Sequence, residues 1–156
     1  MTFFQRAVQV ANVFFEFELK TLKHTFSAKF HKDSTHWVQV VLHSSRRVMR
    51  CQLRKLGHDS HDTNAACWQA NKPASDGCIA ELHFARDFLT LEYIAHEAAH
   101  AAFHRARLLG VQDQKEFEEW TVDSAGALTD IIIAYFDLHK IPVKYKSAPK
   151  RYLLYP

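Results

Sequence analysis

Residues 91–109, LEYIAHEAAHAAFHRARLL, constrain the fold more than any other part of the chain. Thr90 before them is an N-cap residue, Glu92 falls in the first turn, Arg105 and Arg107 fall in the last, and Gly110 follows as a terminator. Caps and charges thus agree on one long helix. Leu89 and Ile94 are spaced for a hydrophobic staple across its start. Inside this helix stands His96-Glu97-Ala98-Ala99-His100. A spacing of four stacks both imidazoles on one face, a turn apart, where their nitrogens can share one ion, and it places Glu97 beside that ion to hold a water. A carboxylate next to a water activated by zinc can take its proton during attack on a carbonyl. Zn²⁺ is therefore the expected cofactor and hydrolysis the expected chemistry.

A zinc site needs a third protein ligand. His104 follows His96 at i+8, but a straight helix rises about 12 Å over eight residues, so both cannot reach one ion. The extended pattern HExxHxxGxxH is absent, because Phe103 and Ala106 stand at its glycine and third-histidine positions. A second helix is predicted from about Lys115 to Leu138, with Trp120, Ala127, Leu128, Ile131 and Tyr135 on one stripe. Its first turns carry Glu116, Glu118, Glu119 and Asp123.

HExxH in one helix and ExxxD in the next together resemble the gluzincins, the zinc peptidases typified by thermolysin. There a Glu on the following helix is the third ligand, and an Asp four residues on bonds the first histidine. The resemblance covers residues 79–136, and Glu119 and Asp123 fit it. It implies that His96, His100 and Glu119 hold Zn²⁺, that Glu97 acts as general base and then proton donor, that Asp123 orients His96, and that the substrate is a peptide or protein. The chain as a whole also looks like small phage and bacterial proteins with a minimal two-helix zinc core.

The helical pattern leads the same way: Glu119, Asp123, Gly126 and Asp130 follow i, i+4, i+7, i+11, so they share a stripe and are expected to face one neighbour. Ala95, Ala98, Ala99, Ala101, Ala102 and Ala106, with Gly126 opposite, are expected to let the two helices approach closely. Glu118 competes as ligand through one residue of register; Glu119 is preferred because Asp123 stands at the spacing that lets a carboxylate orient a liganding histidine.

In the family, the strand ahead of the HExxH helix forms the sheet edge along which a peptide aligns. Ile79–Phe84 (IAELHF) occupies that place, with Ala80, Leu82 and Phe84 on one face and Ile79, Glu81 and His83 on the other. An open edge there is expected to bind an extended peptide through its backbone. The family draws its oxyanion-stabilising His or Tyr from a separate C-terminal domain that this chain is expected to lack. Tyr135, His139, Tyr145 and Tyr152 follow or end the second helix, and none is assigned the role.

The remaining sequence predicts a single domain over residues 1–156, with a metal core at about 79–138 and a basic tail at 139–156. Residues 6–20 and 23–30 suggest two extended segments, His36–Leu42 a strand, Arg46–Leu56 a basic amphipathic helix capped by Ser44-Ser45, and residues 66–85 a hairpin turned by KPASDG. The class is α+β: a small, mostly antiparallel sheet with one basic helix, packed on the HExxH helix and its antiparallel partner.

Three cysteines, Cys51, Cys67 and Cys78, with no CxxC pair, argue against a disulfide framework and for buried thiols in a cytoplasmic protein. No apolar run suits a membrane span, and the N-terminus, with Arg6, Glu16 and Glu18, reads as mature chain. Residues 76–138 hold 4 Lys/Arg against 12 Asp/Glu, whereas both flanks are basic. An acidic centre suits a cation, and the flanks could meet nucleic acid through Arg46, Arg47, Arg50, Arg54 and Lys55. The rival to a hydrolase is a non-catalytic zinc-stabilised protein that binds a protein or nucleic-acid partner.

Overall fold

The computed structural model describes residues 24–31, 35–58, 62–69 and 73–145. The extended segment expected over residues 6–20 and the tail beyond residue 145 with Tyr152 lie outside the described residues.

The described chain is α+β. Strands β1 (His24–Lys29) and β2 (Trp37–His43) are followed by helix α1 (Arg46–Lys55), strands β3 (Ala65–Gln69) and β4 (Cys78–Ala85), a 3₁₀ turn (Arg86–Phe88), and helices α2 (Leu91–Leu108) and α3 (Gln114–Leu138). The strands form one sheet in the order β1-β2-β4-β3. β1 pairs antiparallel with β2 and β3 antiparallel with β4, while the central β2–β4 pairing is parallel, so the sheet is mixed. A helix and a further strand separate β2 from β4, which gives the chain the length a parallel return needs.

This order corrects one expectation. Ile79–Phe84 is not the sheet edge, because β4 lies between β2 and β3; the edge near α2 is β3. Both faces of β4 are covered. Ala80, Leu82 and Phe84 join the main core, and on the opposite face Ala85 packs with Met49 and Leu53 of α1. The polar residues of that face form a chain: the buried His83 has its Nδ1 2.9 Å from Nε2 of the equally buried His43, and its Nε2 3.1 Å from the partly exposed Glu81 carboxylate. Hydrogen bonding offsets the cost of removing these groups from water.

The main core fills the other side. Alternate residues Val38, Val40 and Leu42 of β2 and Leu82 and Phe84 of β4 meet Ile94, Ala98, Ala101 and Ala102 of α2 and Leu128, Ile132 and Phe136 of α3. Four alanines of α2, Ala98, Ala101, Ala102 and Ala106, are fully buried, and their small side chains bring the helix close to its neighbours. The Phe26 and Tyr135 rings stack at 3.6 Å between β1 and α3.

The ends of α2 follow the sequence signals. Thr90 Oγ1 accepts the Tyr93 N–H at 3.3 Å, and Leu89 and Ile94 are both buried in the core. Gly110, at φ +70°, closes the far end in the left-handed conformation that glycine adopts without steric cost. Past α3 the chain returns to the start of α2: the Lys144 N–H bonds the Leu89 carbonyl at 3.0 Å, and the Lys144 carbonyl accepts the Leu91 N–H at 3.1 Å. Among the described residues no helix is long and apolar enough to cross a membrane.

Candidate metal centre and active site

His96 and His100 lie on the exposed side of α2, opposite the buried alanines. Their Nε2 atoms are 3.1 Å apart, with the rings nearly perpendicular at 77°. Two nitrogens bound tetrahedrally at about 2.0–2.1 Å from one zinc ion stand roughly 3.3–3.4 Å apart. The separation of the pair is therefore close to that of two zinc-bound nitrogens, with the two Nε2 atoms here at hydrogen-bonding distance from each other. Burial, and then the neighbouring His96 charge, holds His100 below the ordinary imidazole value, favouring the neutral form that ligates.

Glu97 turns the other way, toward β3, and is only 6% exposed. Burial pushes its carboxyl above the ordinary range, against the opposing effects of the His96 charge and of a hydrogen bond from the Cys67 main-chain N–H. The Cys67 thiol is itself pushed up to about 12 by burial and by the Glu97 charge, with Gln69 pulling weakly the other way. Gln69 also clamps the helix, its Nε2 donating to the His100 carbonyl at 3.2 Å. A cleft of about 380 Å³ opens here between α2 and the segment before β3, lined among others by Asp62, Asn64, Glu92, Tyr93, His96 and Glu97.

The carboxylates of α3 are not on the histidine pair. Thr121, Ser124, Leu128, Ile132 and Phe136 form the buried face of α3, and Glu119, Asp123, Gly126 and Asp130 form an exposed stripe opposite it. The Glu119 side chain is 70% exposed, 3.9 Å from Lys115 Nζ, and borders a separate depression with Asp113, Lys115, Glu116, Trp120 and Asp123. Glu118 is also exposed and accepts from Gln114 Nε2 at 3.1 Å. Among the described residues no three His, Cys, Asp or Glu side chains come together to hold an ion. A Cβ on Gly126 would meet nothing within 4 Å, so this glycine is not where the helices approach.

Along the helix pair, however, Glu119 is level with the site. Residues 109–113 turn the chain back, and the Phe103 and Phe117 rings pack across the pair at 5.6 Å. From that contact His100 lies three residues back along α2 and Glu119 two residues on along α3, offsets of about 4.5 and 3 Å in the same direction.

Other predicted residues find different employment. Tyr135 is a stacked core aromatic, and His139 packs on it at 4.2 Å at the far end of α3. Tyr145 is 67% exposed and lines a shallow groove with Leu91, Glu92 and Ala95. His104 is half-buried one turn past His100. Two arginines of α1 hold the loop ahead of β3, Arg46 through Asn64 at 3.1 Å and Arg50 through the Thr63 carbonyl at 2.9 Å, rather than standing clear for phosphates. Sequence reasoning missed Asn64 and Tyr93. Tyr93 carries a usable signal, since it precedes Glu97 by one turn; Asn64, in a loop, carries none.

Compared with known proteins, the chain matches no family model, no curated sequence and no solved structure.

Proposed function

We propose that this chain is a zinc-dependent hydrolase of gluzincin type that cleaves a peptide bond in an extended protein segment. The observation that carries this reading is the pair of Nε2 atoms 3.1 Å apart, with the buried Glu97 beside them on the cleft wall. His96, His100 and Glu119 would hold the ion, with Asp123 orienting His96. Zinc, when bound, supplies Lewis-acid polarisation of the scissile carbonyl and of the attacking water. Glu97 takes a proton from that water and delivers it to the leaving amine nitrogen, and the Cys67 N–H steadies its carboxylate for both transfers.

Two features support the rest of the ligand set and the substrate class. Glu119 shares its level along the helix pair with His100, and its exposed 3.9 Å pair with Lys115 is worth little; bringing it to the ion requires the first turns of α3 to rotate its stripe toward α2. Among the described residues β3 is the edge strand beside α2, and its Cys67 lies against Glu97, so a peptide added to that edge would run past the candidate base. An extended peptide can add there as a further strand.

The test is metal content together with turnover on a pool of quenched fluorescent peptides. Wild type should bind one zinc per chain and cleave the pool; Glu97→Gln should keep zinc and fold but lose cleavage, and Glu119→Ala should lose zinc affinity. A zinc-stapled binding protein would instead show no cleavage by wild type and no effect of Glu97→Gln on its binding.

A further inference from the structure

Arg105 occupies a core position on α2. Ile94, Ala98, Ala101 and Arg105 follow i, i+4, i+7 and i+11, and the first three are fully buried against the sheet and α3. Arg107, two residues on, is exposed. The Arg105 guanidinium is instead held between two rings, its central carbon 4.9 Å from the centre of Phe30, just past β1, and 4.4 Å from that of the Trp120 ring on α3. Ring faces attract a cation and the last turn of a helix favours one, but neither offers an acceptor to its N–H groups.

Those groups are left without one. Nε and Nη1, which carry three of the five guanidinium hydrogens, are sealed from water and have no hydrogen-bond partner. Among the described residues no carboxylate pairs with Arg105, and the acidic side chains Glu116, Glu119 and Asp123 of α3 border a depression that includes Trp120 but not Arg105. His36, ahead of β2, adds no negative charge: burial, and then the Arg105 charge, holds its imidazole below the ordinary value, toward the neutral form. Burial lowers Arg105 as well, the direction a cation takes when it lacks a counter-ion. A side chain needed only to fill the space between Phe30 and Trp120 would serve better without a charge, because a buried charge with unmet donors costs stability.

We infer that Arg105, with Phe30, His36 and Trp120 around it, is a binding site for the carboxylate group of a small organic acid. The charge count selects the ligand. One guanidinium beside a neutral imidazole balances a single negative charge, which a carboxylate carries and a phosphate dianion exceeds, and a planar fork of N–H donors matches a planar pair of oxygens. Arg105 is half-buried as a whole, so part of its side chain is reached from the surface. The site needs no ion at His96 and His100 and is independent of the hydrolase reading.

The test titrates the full chain, labelled with ¹⁵N-arginine, with sodium acetate at pH 8 against sodium chloride at equal ionic strength, and follows the side-chain Nε–H resonances. Wild type should show a saturable downfield displacement of the Arg105 proton as its acceptor arrives, with the Arg107 signal unmoved. Arg105→Met should lose the rise in melting temperature that acetate gives wild type, and Arg105→Lys, which keeps a charge but not the fork, should need roughly tenfold more acetate for the same rise. Inorganic phosphate should displace the Arg105 proton only at higher concentration than acetate does. No saturable displacement by acetate, or an equal one with chloride, overturns the site; tighter binding of phosphate than of acetate overturns the ligand class. Asp33 stands between Phe30 and His36 in the chain. If acetate binds Asp33→Asn but not wild type, the chain's own carboxylate fills the place and the inference falls. The wild-type resonance carries the test even where a variant fails to fold.

Discussion

Glu97 on α2 is buried beside Cys67 of the edge strand β3, close enough for its charge to help raise the Cys67 thiol, so the candidate base and the candidate peptide-binding edge lie side by side. The surroundings offset only part of the cost of burying a carboxyl that is 6% exposed.

Glu97→Gln should therefore stabilise the apoprotein, in a pH-dependent way. A carboxyl whose folded value lies above its unfolded one costs nothing below the unfolded value; the folded state loses stability as pH climbs from the unfolded toward the folded value, and the deficit persists above it. The variant should melt at a higher temperature than wild type at pH 8, and the gap should close near pH 4. Equal melting temperatures at pH 8 would show that the carboxyl is not penalised by its surroundings.

Cys67 should resist alkylation. With its thiol pushed up to about 12, almost none is thiolate at pH 8. Iodoacetamide followed by peptide mass spectrometry should leave Cys67 unmodified in the native protein and label it fully in urea. Rapid native labelling would contradict its placement under Glu97.

Zinc should stabilise the fold through the histidine pair. At a free concentration a hundredfold above Kd, binding contributes about 2.7 kcal/mol, equivalent to a Tm rise of roughly 5–11 °C for a chain of this size. His96→Ala and His100→Ala should each abolish the rise, measured by scanning calorimetry with and without EDTA. A rise that survives both substitutions would place the ion elsewhere.

Much of this was legible in the sequence where the signal is local. Thr90, Gly110 and the staple of Leu89 with Ile94 delimit α2 because capping depends on neighbours a few residues apart. Ser45 and the spacing of Val48, Met49 and Leu53 likewise give α1. Strand order was not legible, because pairing between distant segments leaves no periodic trace. Alternation places Glu81 and His83 on one face of β4, but only the approach of His43 from another strand accounts for the burial of His83. The stripe from Glu119 to Asp130 was read correctly as one face, but helical periodicity does not say which way a face turns, and the more apolar stripe through Leu128 and Ile132 took the core.

Ala98→Leu should test how tightly α2 is seated. Ala98 is fully buried against the sheet and α3, so the larger side chain must displace neighbours at a cost of about 1–3 kcal/mol, read as a fall in urea midpoint at unchanged m-value. A neutral result would reveal unfilled space beneath the helix.

Gly77→Ala should destabilise the turn into β4. Gly77 sits at φ +90°, and a Cβ there would run into the Thr35 main-chain carbonyl, while its own carbonyl accepts the Trp37 N–H at 3.1 Å. The conformation alone costs a non-glycine residue about 1–2 kcal/mol, and the collision adds to it. Denaturant melts that match wild type would mean that β4 enters the sheet by another route.

Lys144 joins its backbone to Leu89 and Leu91, so everything from the head of α2 to the residue after α3 forms a ring closed by two hydrogen bonds. Within such a ring neither helix can slide along its axis without straining the closure, and the relative height of His100 and Glu119 is thereby held to a fixed circumference.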